Sequence, residues 1–396
     1  MTAVGVLAFV FVLLTSVMLH EAGHFVTAKH YGMKATRFFV GFGPTLLSFR
    51  RGETEYGIKA IPAGGFVKIV GMTPLEAVEP GDEDRVFYKQ PARQRVVVLA
   101  AGSFVHFVLA ILLTYLVLVF AGDFTSTQQQ VSVGGVTPCV TVGDTQRGCP
   151  PGAPAAPAQG KLLAGDRIVA VDGHPLTDPT QLTGAVTSHV GRPLGLTVIR
   201  HGARVAVSVT PVAVRQGNGT IGRIGIAVSA TGVYPTYGPL AAVPRTFGSL
   251  GFYLSATGKA LASLPSTLRE DLAGKRSPNG ALSVLGVANV SGQIASASRV
   301  PLHLRVGQFL SIMAQLNFFI GIFNLLPLLP LDGGHIAILA FEGLRRRLYR
   351  LLRRGDPGRV DINKVLPLTY AFVVLFVGVA AVLLYADIAH PLNLSG

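Results

Sequence analysis

Charged residues are scarce in this chain of 396 residues. They make up 14% of it, whereas 49% of the residues are hydrophobic and the mean hydropathy is +0.50. Soluble globular domains carry about 25% charged residues. The composition therefore excludes an ordinary soluble protein, and we interpret the chain as an integral membrane protein.

A signal-peptide pattern is also missing from the first apolar segment. This segment has neither a charged start nor a small-residue cleavage site, so we expect it to remain in the protein as a membrane span. The alternative, cleavage, would separate the segment from the motif that follows it. Three more apolar stretches have the roughly 17 to 25 residues that a spanning helix needs. The predicted organisation is a first helix at 1–28, a loop at 29–95, a second helix at 96–122, a folded domain at 123–237, an amphipathic linker at 238–305, a third helix at 306–344, a basic loop at 345–365, a fourth helix at 366–388 and a tail at 389–396.

Acidic residues are scarce in the apolar segments, and Glu21 is one of the few present. It stands in the run HEAGH at 20–24, which matches HExxH. On a helix His20 and His24 share a face and can present imidazole nitrogens to one metal ion. Neutral imidazole suits zinc, and Glu21 is placed to take a proton from a water that zinc acidifies. A chance match is expected in about one per cent of chains of this length.

Another of these acids is Asp332, which we predict to be the third protein ligand that a zinc hydrolase needs. Pro327 and Pro330 disfavour regular helix before it, and Gly333 and Gly334 permit unusual backbone angles. We expect a broken segment at membrane depth that turns this carboxylate inward.

Three alternatives to this third ligand remain open. Asp332 can instead cap a helix that begins after it. His335, one helical turn further on, and His106, in the second apolar segment, are rival ligands.

The net charge of +14 comes with basic residues placed between apolar segments. In a soluble protein this charge would suggest nucleic-acid binding, but here lysine and arginine concentrate in the loops at 29–95 and 345–365. By the positive-inside rule both loops are cytoplasmic, so the termini and the domain at 123–237 lie outside. We expect the lipid bilayer, and no nucleic acid, as a partner.

The chain has only two cysteines, Cys139 and Cys149. They are close in sequence and fall in the domain placed outside. We expect a disulfide in an oxidising compartment, and the alternative is two unpaired thiols.

Three remaining regions give coarser expectations. The stretch 36–72 is typical of short strands and hairpins, and we expect a sheet that dips into the cytoplasmic leaflet. The domain at 123–237 combines strands with a helix near 178–189. The linker at 238–305 is expected on the outer membrane surface, broken at Pro265 and Pro278.

Three motifs together resemble the site-2 protease family of intramembrane zinc metalloproteases. They are HEAGH at 20–24, LDG at 331–333 and GDRIVAVDG at 165–173. The similarity covers nearly the whole chain and is closest to the RseP-like bacterial branch, particularly its actinobacterial members. It departs from that branch in having one PDZ-like domain, in His106 where many relatives have asparagine, and in an irregular loop at 152–157.

The resemblance implies roles for individual residues. Zinc would be held by His20, His24 and Asp332, with Glu21 as the catalytic residue. Asn324 would contact substrate through the NxxPxxxLDG pattern. The fold implied is a polytopic α-helical membrane protein with about four transmembrane helices, a membrane-reentrant β-element and one extracytoplasmic PDZ-like α+β domain.

The activity implied is regulated intramembrane proteolysis in a bacterial cell membrane, with the active site near the cytoplasmic face. Substrates would be single-span proteins such as anti-sigma factors or signal-peptide remnants, prepared by an upstream site-1-type protease. Two other functions are a membrane scaffold that binds chain ends and a zinc transporter. A scaffold gains nothing from charged groups in hydrocarbon, and a transporter needs more intramembrane acids than Glu21 and Asp332.

Overall fold

The chain forms two compact units in the computed structural model. One unit contains Met1–Gly122 and Tyr237–Gly396 and is called the membrane unit here; the other, Asp123–Thr236, is called the inserted unit. The structure describes residues 2–72, 78–126, 128–140, 149–176, 178–216, 219–275, 280–298, 300–355, 358, 360 and 365–391.

Helices and strands are numbered in chain order. The helices are α1 Thr2–His30, α2 Ala92–Phe120, α3 Pro179–Ser188, α4 Pro239–Leu272, α5 Val284–Ser296, α6 Leu302–Asn324, α7 Asp332–Leu351 and α8 Leu366–Ala389. The strands are β1 Ala35–Arg51, β2 Thr54–Ile69, β3 Gln128–Val136, β4 Arg167–Val171, β5 His174–Pro175, β6 Leu194–Arg200, β7 Ala203–Val209, β8 Val212–Gln216, β9 Gly219–Arg223 and β10 Ile226–Val233.

Four helices of the described chain, α1, α2, α6 and α8, are long and apolar enough to cross a membrane, as predicted. Their exposed side chains include many large apolar ones, which suits contact with lipid tails. The predicted third span, 306–344, is divided. Helix α6 ends at Asn324 and α7 begins at Asp332, so a non-helical segment at 325–331 separates them.

Helix α4 corrects one expectation. It runs without interruption through Pro244 and Pro265, so the predicted break at Pro265 is wrong; Pro278 lies outside the described residues. A proline removes one backbone hydrogen bond, and packing against neighbouring helices can outweigh that loss. Here Tyr253 lies on the side of α4 that packs with Ala110 and Phe318, from α2 and α6.

The region 36–72 forms two long bent strands rather than several short ones. Residues 37–40 of β1 pair with both 65–68 and 55–58 of β2, and 45–51 pair with 54–59. The segment 65–69 is thus an edge, paired on one side only within the described chain. Gly41 and Gly43, with φ of 83° and 81°, adopt the left-handed backbone that the bend requires.

Glu53, in the turn between β1 and β2, fixes the tip of this sheet. It accepts hydrogen bonds from Arg85 Nη1 and Nη2 at 2.7 and 2.8 Å and forms an ion pair with Lys29, at the end of α1. The hydrogen bonds from Arg85, with a smaller contribution from Lys29, lower the pKa of Glu53 to about 2. The sheet is therefore tied to the last turn of α1.

The inserted unit is an α+β fold. Its sheet has the order β10-β3-β4-β6-β7, with β5 beside β4, and β8 and β9 form a separate hairpin. Helix α3 packs Leu182 and Val186 into the core of the sheet. Cys139 and Cys149 are joined in a disulfide with a Cα–Cα distance of 5.9 Å.

A buried ion pair closes the core of the inserted unit. Asp166 is 1% exposed and accepts hydrogen bonds from Arg200 Nε at 2.8 Å, Arg200 Nη2 at 2.6 Å and the Leu163 amide at 2.9 Å. The Arg200 guanidinium holds the pKa of Asp166 below its usual range. The stabilisation is therefore present above the unfolded-state pKa and is lost as the pH falls through the lower folded-state pKa.

Replacing Asp166 with asparagine is expected to weaken the inserted unit. Asp166→Asn should lower the hydrogen-exchange protection of β4 and β6 amides on the order of tenfold, the effect of losing one charged hydrogen bond. Arg204→Gln, at an exposed site on β7, is the matched control and should leave protection unchanged. Equal protection in Asp166→Asn and the native chain at neutral pH would contradict this role of the pair.

Candidate metal centre

The two histidines of HEAGH face each other on the buried side of α1. His20 and His24 are 7% and 5% exposed, and their Nε2 atoms are 3.1 Å apart. The spacing of four residues puts both rings on one helix face, as the sequence predicts. The side chain of Glu21 leaves the helix on an adjacent face.

Asp332 joins the two imidazoles. Its Oδ2 lies 3.5 Å from His20 Nε2 and 3.3 Å from His24 Nε2. The ligand atoms of these three side chains lie within 4.8 Å of one another, close enough to hold one metal ion. Among the described residues, no other group of three or more His, Cys, Asp or Glu side chains does so. The two rival third ligands, His106 and His335, are not part of that group.

The triangle formed by these atoms fits zinc. Four ligand atoms placed tetrahedrally about 2.0–2.1 Å from zinc are about 3.3–3.4 Å from one another, and the observed sides are 3.1, 3.3 and 3.5 Å. Such a triangle leaves the fourth tetrahedral position open, as catalytic zinc sites require.

The tautomer of His24 supports the same conclusion. Its Nδ1 lies 2.7 Å from the carbonyl oxygen of Val98 on α2, so Nδ1 carries the proton and donates it to that oxygen. In the neutral imidazole, the form that binds metals, Nε2 then keeps its lone pair and faces the Asp332 carboxylate at 3.3 Å. Two acceptor atoms facing each other in a buried site repel unless a cation lies between them. A hydrogen bond from the second ring nitrogen to a backbone carbonyl is also the usual support of a metal-binding histidine.

Small residues allow α2 to approach the imidazoles. A Cβ built on Gly102 would lie 2.5 Å from both His20 Cε1 and His24 Nε2. A Cβ built on Gly23 of α1 would lie 2.8 Å from the Ala101 carbonyl oxygen. Glycine is therefore required on both helices at the point where they cross.

The carboxylate of Asp332 is held in place by the first turn of α7. Leu331 occupies the cap position and Asp332 is the first helical residue, so the alternative of Asp332 as cap is wrong. Gly333 and Gly334 have ordinary helical backbone rather than the unusual angles expected. Glycine is needed for space, because a Cβ on Gly333 would lie 2.2 Å from the Leu325 carbonyl carbon and oxygen.

The β1–β2 sheet meets Glu21 through its edge. The amide of Val67 donates a hydrogen bond of 3.0 Å to Glu21 Oε2. Beside it, a Cβ on Gly65 would lie 2.4 Å from Met18 Sδ on α1. The edge strand 65–69 thus lies against α1, next to the metal centre, and holds one oxygen of the carboxylate.

His106 is a buried neighbour of the site. Its Nδ1 lies 2.8 Å from Asn317 Oδ1, whose Nδ2 donates to the Met313 carbonyl oxygen at 2.8 Å. Its ring centroid is 5.0 Å from that of His20. This chain of hydrogen bonds fixes the His106 ring against His20, in the manner of a packing residue.

Two other predicted residues lie close in sequence to Asp332. His335 is half-buried on α7, one turn after Asp332, and Asn324 is the half-buried last residue of α6. The segment 325–331 connects Asn324 to Asp332.

Sequence reasoning missed four contributors to this site. Asn317 and Gly102 left a signal, since a polar residue and a glycine in apolar helices are both unusual enough to examine. The Val98 carbonyl and the Val67 amide left none, because any residue type supplies a backbone group.

Comparisons with a family profile and with individual proteins agree on one family of zinc metalloproteases. The profile of peptidase family M50 matches residues 8–352. The zinc metalloprotease Rip1 of Mycobacterium tuberculosis is 37% identical over 412 residues, covering 100% of this chain and 99% of the relative. Rip1 of Mycolicibacterium smegmatis is 37% identical over 415 residues with the same coverage. A relative from Brucella suis is 30% identical over 358 residues, or 86% of each chain.

Adding a methyl group at Gly102 is expected to displace the imidazoles. Gly102→Ala should weaken zinc binding about 10-fold or more, as is typical when the support of a metal ligand is removed. The purified variant should then contain less than half of one zinc ion per chain. Gly378→Ala, on α8 with nothing within 4 Å of a new Cβ, is the control and should bind zinc normally. Metal analysis of both variants tests this prediction. Full zinc content in Gly102→Ala would show that α2 shifts to accommodate the added methyl group.

Proposed function

The chain belongs to peptidase family M50 and is a zinc metalloprotease embedded in a membrane, and we propose that it cleaves peptide bonds within transmembrane segments. The observation that carries the proposal is the triangle of His20, His24 and Asp332, with Glu21 beside it on a membrane helix. We assign the first three as zinc ligands and Glu21 as the catalytic residue.

The residues of the chain divide the chemistry between them. Bound zinc would supply Lewis acidity toward the scissile carbonyl and toward a water molecule. Glu21 takes the proton from the attacking water and returns it to the leaving amine. The Val67 amide donates a hydrogen bond to Glu21 Oε2 and so fixes the position of this carboxylate beside the ligands.

A transmembrane substrate must unwind before it is cleaved, because a helix keeps its carbonyl groups hydrogen-bonded internally. The edge strand 65–69 supports a route. Its unpaired side lies at the metal centre, and an extended peptide can add to an exposed sheet edge through backbone hydrogen bonds. Asn324 is then a second contact to the substrate backbone.

Charge and disulfide bonding support the orientation that we propose. The basic residues of the loops at 29–95 and 345–365 favour a cytoplasmic location for those loops, and the disulfide of Cys139 with Cys149 fits an oxidising compartment for the inserted unit. The substrates are single-span proteins, such as anti-sigma factors or signal-peptide remnants, after a first cut outside the membrane. We infer a bacterial cell membrane as the location and PDZ-like function for the inserted unit.

Separating the ligands from the base is the central test of this function. Glu21→Gln should keep stoichiometric zinc and lose cleavage of a single-span substrate by at least about 100-fold, because it removes only the proton acceptor. Asp332→Ala should lose both zinc and cleavage. The measurements are metal analysis and cleavage by the purified protein in lipid.

His335→Ala is the matched control for Asp332→Ala, since it lies on the same helix one turn away. It should keep zinc. Loss of zinc in His335→Ala together with full zinc in Asp332→Ala would make His335 the ligand and overturn our assignment.

The hydrogen bond to Glu21 gives a second test, of the role of the sheet edge. Val67→Pro removes the amide proton at an edge position, where proline is tolerated. We expect normal zinc content with kcat lowered about tenfold, from a misplaced carboxylate. Val67→Ala keeps the amide and should retain activity. Equal loss in the two variants would mean that the side chain, and not the amide, matters.

A further inference from the structure

The second half of α7 and the residues after it are strongly basic. Glu342 is the one acid of α7 after Asp332, and it is 6% exposed and accepts a hydrogen bond from the Val360 amide at 2.8 Å. No exposed acidic side chain on α7 therefore offsets the basic ones. Six arginines follow within ten residues: Arg345, Arg346, Arg347, Arg350, Arg353 and Arg354.

Exposed leucines accompany these arginines. Leu344, Leu348 and Leu351 are 68%, 51% and 80% exposed, and Leu352 is 54% exposed. Residues spaced by three and four lie on one helix face. Helix α7 is not among the helices long and apolar enough to cross a membrane. An apolar stripe flanked by arginines on a non-spanning helix is typical of a helix that lies in the membrane interface.

An apolar cavity adjoins this surface. It has a volume of about 280 Å³ and lies between the segment 327–329, the side chains of Ile338 and Phe341 on α7, and Leu368 on α8. The Arg345 guanidinium carbon lies 5.9 Å from the centre of the Phe341 ring. A cationic group thus stands next to the apolar slot.

We propose that the C-terminal half of α7 binds an anionic phospholipid. The phosphate contacts the exposed guanidinium groups of Arg347, Arg350, Arg353 and Arg354, and an acyl chain packs on the exposed leucines and into the cavity. Charge complementarity selects this occupant, because anionic headgroups attract clustered basic residues at a membrane surface while zwitterionic ones do not. The proposal concerns lipid binding alone and stands whether or not the chain cleaves the substrates proposed above.

The first test compares lipids bound to the full-length protein in nanodiscs. The association of spin-labelled phosphatidylglycerol is measured against that of spin-labelled phosphatidylcholine by electron paramagnetic resonance. We expect at least about a fivefold preference for phosphatidylglycerol, falling as salt is raised, since salt screens exposed charges. Millimolar inorganic phosphate should not abolish the preference, because it lacks an acyl chain.

Two variants that lose the same charge make this test specific. Replacing Arg347, Arg350, Arg353 and Arg354 with glutamine should remove the preference. Replacing four exposed arginines of the inserted unit with glutamine should leave it unchanged; these are Arg192, Arg204, Arg215 and Arg223. Retention of the preference in the first variant, or its loss in the second, would overturn the proposal.

A second test places a fluorescent probe on α7 and keeps all of its arginines, so that it does not depend on the folding of the fourfold variant. Both native cysteines are held in the disulfide, so Leu351→Cys offers a single thiol for a fluorophore. We expect quenching by nitroxides on lipid tails in nanodiscs that contain phosphatidylglycerol, and little quenching by aqueous iodide. Quenching by iodide alone would show that α7 faces water. If α7 bound an acidic peptide or an oligonucleotide but showed no preference for phosphatidylglycerol, its partner would be soluble and the proposal would be wrong.

Discussion

The close crossing of α1 and α2 is the constraint on which the metal centre depends. Gly23 meets the Ala101 carbonyl and Gly102 meets both imidazoles, at distances that leave no room for a Cβ. Lipid tails are as apolar as leucine, so membrane helices associate through close packing and interhelical hydrogen bonds rather than through the hydrophobic effect. The crossing provides both, because it also brings the Val98 carbonyl within 2.7 Å of His24 Nδ1. The contact that joins the helices therefore also sets the tautomer of a proposed ligand.

Two buried polar side chains beside the site, His106 and Asn317, satisfy each other through directed contacts. His106 and Asn317 are 1% and 2% exposed, and Asn317 in turn donates to a backbone carbonyl of its own helix. In hydrocarbon, an unpaired amide or imidazole is costly, so such a pair holds one arrangement. The ring of His20 packs against this fixed pair. Helices α1, α2 and α6 are thereby linked through three polar side chains, while α7 supplies Asp332 from the other side of the break after Asn324.

The sequence predicted those parts of the structure that depend on side-chain type and spacing. The period of HEAGH and the isolation of Asp332 among apolar residues indicated three residues whose ligand atoms lie within 3.5 Å of one another. Four apolar helices followed from length and composition. Features that depend on tertiary packing were not predictable. Pro265 lies inside a continuous helix that packs against α2 and α6 at Tyr253, and Gly333 is needed for clearance from Leu325, a residue whose approach no local pattern reveals.

The contact of Val67 with Glu21 limits how a substrate can pair with the sheet edge. Outward-facing amides alternate along a strand, so Gly65, Val67 and Ile69 present theirs on the same side. The carboxylate of Glu21 occupies the position where a substrate carbonyl would accept from Val67. Ile69 is 1% exposed, so on the proposed function an added strand pairs on the Gly65 side and meets the proposed base at Val67 instead of a backbone partner. On the proposed function, the Val67 amide lies in the edge to which the substrate adds and also positions the carboxylate that moves the proton. The register of the bound peptide is therefore fixed relative to Glu21.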